Sequence, residues 1–199
     1  MLAFVALGVL LLGGVLAVVA FGGGGGGSAS GGLITTSSCT EQQFPGLRPQ
    51  HINNPNANVD YNSFPPSSGP HYAQPAPWGI YPDSIKQTIL VHNLEHGGIV
   101  VQYGKNVPKA TVAQLRAWYL RDSTGLVVAP LPKLGGRIVL GAWNAPPYEQ
   151  GVAQAKQDGG HGYLAVCSGF DAAAFTAFVK QHRYKAGERF PAALLKRNP

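Results

Sequence analysis

Val91-His92-Asn93-Leu94-Glu95-His96-Gly97-Gly98 puts two imidazoles and a carboxylate inside five residues and sets two glycines behind them. Apolar, β-branched runs flank it: Thr88-Ile89-Leu90-Val91 before, Ile99-Val100-Val101 after. Runs of that kind predict buried strands. The polar cluster between them is then carried into the interior or the floor of a cleft, where polar groups need partners or a task. Upstream lies Asn62-Ser63-Phe64-Pro65-Pro66-Ser67-Ser68-Gly69-Pro70-His71-Tyr72, a proline-stiffened, turn-rich loop that ends in a third histidine.

The spacing of the cluster limits its chemistry. On a helix, positions i, i+3 and i+4 are neighbours, so His92, Glu95 and His96 would share one face. On a strand, i and i+4 lie roughly 13 Å apart and cannot reach one ion. A shared metal therefore requires a turn or helical kink at Asn93-Leu94-Glu95, and Asn93 with Gly97-Gly98 supplies the breaking residues. His92 to His96 also fits the H-x-x-E-H pattern of inverted zinc peptidases. That pattern needs a long helix and a distal acidic ligand, so the match reads as coincidence.

Outward from this centre, Gly98 to Tyr103, Leu126 to Ala129 and Arg137 to Trp143 read as strands. Thr111 to Arg121 reads as a helix with Thr111 as N-cap and Val112, Leu115, Trp118 and Tyr119 at helical spacing. Gly125 stops it, and Asp171 caps a second helix with Phe175, Phe178 and Val179 on one face. The order β-β-α-β-β-α predicts an α+β fold, a small mixed or antiparallel sheet with helices on one face. Residues 33–87 show no sustained period, but Tyr61, Phe64, Tyr72, Trp78 and Tyr81 argue that this segment is ordered.

The chain has 199 residues and divides by composition. Residues 1–21 carry no charged or polar side chain and no proline, and about 20 apolar residues span a bilayer. No basic residue precedes the run, so an anchoring transmembrane helix is favoured over a cleaved signal. Residues 22–32 are a Gly/Ser tether, and residues 33–199 form one extracytoplasmic domain. The two cysteines, Cys39 and Cys167, read as a disulfide, which suits the same compartment. Net charge is +6, with Lys180, Arg183, Lys185, Arg189, Lys196 and Arg197 crowding the C-terminus. A solvated helix face explains that crowding, and no nucleic-acid-binding signature is present.

The metal reading takes His71, His92 and His96 as ligands, with Glu95 as ligand or orienter. Nitrogen-rich sets suit a divalent transition metal such as Zn²⁺ or Cu²⁺. Three functions follow from the same residues. The first is a metal- or small-ligand-binding accessory protein at the cell envelope. The second is a metal-dependent hydrolase with Glu95 as general base. The third is an interaction scaffold in which His92 and His96 are structural and bond to backbone carbonyls, Asp60 or Glu95. The balance falls against an enzyme. His51, His161 and His182 read as incidental.

Tyr61 to Tyr72, Trp78-Gly79-Ile80-Tyr81 and His92 to Tyr103 together resemble the bacterial membrane-anchored proteins of domain of unknown function 3105. Ala142-Trp143, the helix from Asp171 through Phe178 and Glu188 to Pro191 fit more loosely. The resemblance covers about residues 45 to 190, leaving aside the Gly- and Gln-bearing stretch between Trp143 and Asp171 that holds His161 and Cys167. It implies an N-terminal membrane segment and an extracytoplasmic setting at the cell membrane; the accessory-protein reading adds an envelope protein as candidate partner. It implies no activity.

Overall fold

The computed structural model describes residues 32–196. The anchor expected at 1–21 and all but the last residue of the tether lie outside that range. Among the described residues no helix is long and apolar enough to cross a membrane. The elements run β1 (Cys39–Pro45), β2 (Gln50–Ile52), β3 (Pro70–Tyr72), β4 (Gly79–Ile80), α1 (Gln87–Glu95), β5 (Ile99–Tyr103), α2 (Lys109–Tyr119), β6 (Leu126–Pro130), β7 (Ile138–Asn144), β8 (His161–Cys167) and α3 (Ala172–His182). The α+β class holds. One six-stranded mixed sheet has the order β1-β8-β7-β5-β6-β4, and β2 pairs with β3 in a separate ribbon. β4, β5 and β6 run parallel, and the other pairings in the sheet are antiparallel.

The helices cover both faces of the sheet, not one. Alternation along the strands sends Val101, Val128, Leu140 and Ala165 to one side, where they pack with Leu115 and Trp118 of α2 and Phe175 and Phe178 of α3. Val100, Val127 and Trp143 face the other way and meet Leu90, Val91 and Leu94 of α1. A sheet whose central strands are apolar on both faces has to be covered twice. Ile99-Val100-Val101 and Leu126-Val127-Val128, each buried at all three positions, are the sequence mark of that arrangement.

The first correction within the elements is α1. Thr88 to Val91 is helix rather than strand, and the helix carries His92 and Glu95 as well. Seven of its nine residues are buried, so it shows no apolar stripe, and the β-branched Thr88, Ile89 and Val91 imitate a strand. Its C-terminal end explains the two glycines. Gly97 N donates to Leu94 O and Gly98 N to Asn93 O, the paired bonds of a Schellman motif. Gly97 sits at φ +84°, and a Cβ on Gly98 would lie 2.4 Å from the Trp78 ring.

A second correction concerns α2, which begins at Lys109 after Pro108 and has no side-chain cap, so Thr111 lies inside it. Asp171 does cap α3, accepting from Ala174 N. β1 and β8 pair in antiparallel register with Cys39 opposite Cys167, and the two cysteines are joined by a disulfide. The stretch around His161 and Cys167 is thus a strand inside the sheet.

Candidate functional site

β2 and β3 run parallel, with His51 in register with His71. The loop that delivers β3 is held by its own polar groups: Ser63 Oγ accepts from Ser67 N, and Tyr61 Oη donates to Pro70 O. The ribbon lies over α1, which presents His92 and Glu95 three residues apart on one turn. The rings of His51, His71 and His92 form a near-equilateral triangle, with centroids 5.0, 5.0 and 4.8 Å apart. Glu95 Oε2 lies against all three: 2.7 Å from His71 Nε2, 3.8 Å from His51 Nε2 and 4.0 Å from His92 Nε2.

Backbone carbonyls orient two of the rings. His71 Nδ1 donates to Gly69 O and His92 Nδ1 to Tyr72 O, each at 2.8 Å. A carbonyl only accepts, so each Nδ1 carries a proton, each Nε2 faces the centre, and that of His92 offers a lone pair there once the ring is neutral. The carboxylate is held from the far side: Glu95 Oε1 accepts from Tyr148 Oη at 2.7 Å and from Gln154 Nε2 at 2.9 Å. Gln154 Oε1 in turn accepts from His51 N, tying β2 to the same loop.

At the middle, His71 Nε2 and Glu95 Oε2 are both buried and, despite their 2.7 Å separation, neither has a hydrogen-bond partner. The two meet as a close ion-pair contact that lies outside hydrogen-bond geometry, and both atoms face the point where the rings converge. Buried polar atoms left this way are costly unless something positive sits between them.

The electrostatics fit that geometry. Burial pushes His92 down to about 4, with the His96 and His71 rings adding and the Tyr72 carbonyl and Glu95 opposing. His92 is therefore neutral at neutral pH and free to coordinate. Burial alone would raise Glu95, but the contact with His71, the Tyr148 hydroxyl and His92 outweigh it, leaving the carboxyl below its ordinary range. Burial first, then the charge of Glu95, pushes the Tyr148 hydroxyl up, so it stays a donor.

The four donor atoms lie within 4.8 Å of one another. Ligands bound to one tetrahedral zinc at 2.0–2.1 Å are roughly 3.4 Å apart, so small side-chain shifts suffice to close the set. Solvent reaches it from one side: His51 is 43% exposed, whereas His71 and Glu95 are fully buried. His51 lines an open cleft of about 390 Å³ shared with Tyr148, Gln154 and Glu188.

His71, His92 and Glu95 thus come together, and His51 joins them. His96 belongs to a second group with His92 and Glu188. Its Nε2 lies 2.9 Å from Glu188 Oε2, and its ring stacks on Phe190. His51 gave no local signal, because its role comes from a pairing with a strand some twenty residues on. Tyr148, Gln154 and Glu188 were equally silent, each being a single polar residue in a loop. His182 is not incidental but forms a buried pair with Glu41 at 2.7 Å, beyond the sheet. His161 is exposed at the start of β8 and belongs to neither group.

No curated protein and no solved structure matches the chain. One family does, described as a protein of unknown function (DUF3105), and its match runs over residues 51–193 without omitting the stretch between Trp143 and Asp171. The match begins at His51 and takes in every donor described above. The chain belongs to that DUF3105 family.

Proposed function

We propose that the domain binds a divalent transition-metal ion through His51, His71, His92 and Glu95, and serves as a metal-binding accessory protein of the cell envelope. One observation carries the reading. A buried imidazole nitrogen and a buried carboxylate oxygen stand 2.7 Å apart with no hydrogen bond between them, and two further imidazole nitrogens close on the same oxygen. A cation at the common point would satisfy all four. Three imidazole nitrogens and one carboxylate suit Zn²⁺, Cu²⁺ or Ni²⁺. The bonds from His71 and His92 to backbone carbonyls are of the kind that orient ligating histidines.

The envelope setting is supported by the Cys39–Cys167 disulfide and by the apolar run at 1–21, and a membrane or envelope protein is the corresponding partner class. The hydrolase reading has less behind it. Glu95 is fully buried, its Oε1 already accepts two hydrogen bonds, and its Oε2 is hemmed in by three imidazole rings, a poor setting for a base acting on a substrate water. The scaffold reading accounts for the His71–Glu95 contact as a buried ion pair but not for the approach of His51 and His92 to the same oxygen.

Elemental analysis of the purified full chain, followed by titration with Zn²⁺ after chelator treatment, tests the proposal. One ion per chain is expected, with binding lost in His71→Ala and His92→Ala and weakened in Glu95→Gln. Absence of binding in the unaltered chain, or binding that none of these substitutions changes, overturns it.

A further inference from the structure

The second group, His92 with His96 and Glu188, is not an independent centre, because it borrows a ligand from the first. His92 Nδ1 is committed to the Tyr72 carbonyl, so only Nε2 remains for metal, and one lone pair serves one ion. The rings of His92 and His96 meet at 4.5 Å, and His96 Nε2 lies 2.9 Å from Glu188 Oε2. Two positions that each sit about 2 Å from the same nitrogen can be no more than about 4 Å apart. Two divalent ions that close, with no carboxylate bridging them, would repel strongly.

The surroundings of the two positions differ. The His71 and Glu95 side chains are fully buried, whereas those of His96 and Glu188 are 10% and 25% exposed. Glu188 lines the cleft of His51, while His96 lines a separate one of about 310 Å³ with Trp78 and Phe190. The His96–Glu188 pair therefore stands at the seam between the two clefts.

Resting on the metal-binding reading above, we infer that a single divalent transition-metal ion has two adjoining positions sharing His92: an inner one with His51, His71 and Glu95, and an outer one with His96 and Glu188. The ion exchanges between the positions, and so between the clefts, by a short displacement about one nitrogen. His92 never leaves the coordination sphere during the step, which avoids passing through a fully hydrated ion.

The test is a double-mutant cycle on Co²⁺ affinity, measured by titration of the full chain. If the outer position is a reserve, His96→Ala weakens Co²⁺ binding by less than about threefold in the unaltered chain, but by about tenfold in a His51→Ala background, where the inner position is crippled. Glu188→Gln follows the same pattern and guards against disturbance of the His96–Phe190 stack. Equal effects of His96→Ala in the two backgrounds overturn the two-position centre, as do two ions bound per chain. Failure of the unaltered chain to bind Co²⁺ at all overturns instead the metal-binding reading on which it rests.

Discussion

Replacing Glu95 with Gln should separate metal binding from folding, because the two respond with opposite sensitivity. In the metal-free protein the amide oxygen can take the place of Oε1 and keep the bonds from Tyr148 and Gln154. Each then changes from a charge-assisted to a neutral hydrogen bond, a loss of about 1 kcal/mol apiece. The amide nitrogen takes the place of Oε2 beside His71 Nε2, a contact outside hydrogen-bond geometry that gains no new bond. Against these losses, the several-kcal/mol desolvation of a buried carboxylate is removed. The metal-free variant should therefore lie within about 2 kcal/mol of the original, and on the stable side if desolvation wins. The metal-bound state loses its only anionic ligand. An affinity loss of about 100-fold is the upper end expected even for groups one layer behind a metal, and is a fair minimum here. With Zn²⁺ at 100 times the original Kd, the unaltered chain gains about 2.7 kcal/mol and the variant only about 0.4 kcal/mol. For a domain of this size the corresponding rises in Tm are about 5–11 °C and about 1 °C. Thermal unfolding of both chains, with and without Zn²⁺, reads all four quantities. A variant that Zn²⁺ stabilises as much as the original chain would refute the reasoning, since Glu95 would then not face the ion.

Acid should weaken the metal-free fold in a defined window. The folded His92 titrates near 4 against an ordinary 6.5, so on acidification the unfolded chain takes up the proton first. The His92 contribution is fully present above pH 6.5 and is lost as pH falls toward 4, and Glu95, also lowered, adds a loss of the same sign below its ordinary 4.5. Urea midpoints at pH 7, 5.5 and 4.5 should fall in that order, and a flat series would count against a buried neutral His92. Reducing the Cys39–Cys167 disulfide frees a loop with a sequence separation of 128, which the chain-entropy argument values at about 5 kcal/mol, or a Tm drop of about 10–20 °C. An unchanged Tm after reduction and alkylation would contradict this. Gly97→Ala should cost about 1–2 kcal/mol because φ is +84°, and its Cβ would also stand 3.1 Å from Tyr184 Cα. Gly136→Ala, with open space and no such φ, is the control, and equal chemical-denaturation midpoints for the two would remove the Schellman account of the turn.

What could be read along the chain was whatever depends on near neighbours. The runs Ile99 to Val101, Leu126 to Val128 and Ile138 to Trp143 are strands because apolar, β-branched segments bounded by glycines have few other uses. Asp171 caps its helix because its carboxylate can reach the first free backbone N–H groups. Spacing also posed the right question at the centre, since His92 and Glu95 can meet only on a helical turn, and they do. The helix itself was misread because burial on every side erased the periodicity that marks one. The helices on both faces, the pairing of β8 with β1, and the partners of Glu95 were out of reach for a different reason. His51 stands beside His71 because two short strands pair in parallel, and Tyr148 and Gln154 arrive on a loop more than fifty residues away. Local chemistry selects which residues can form a site, but the burial that makes their charges matter exists only once distant segments have packed together.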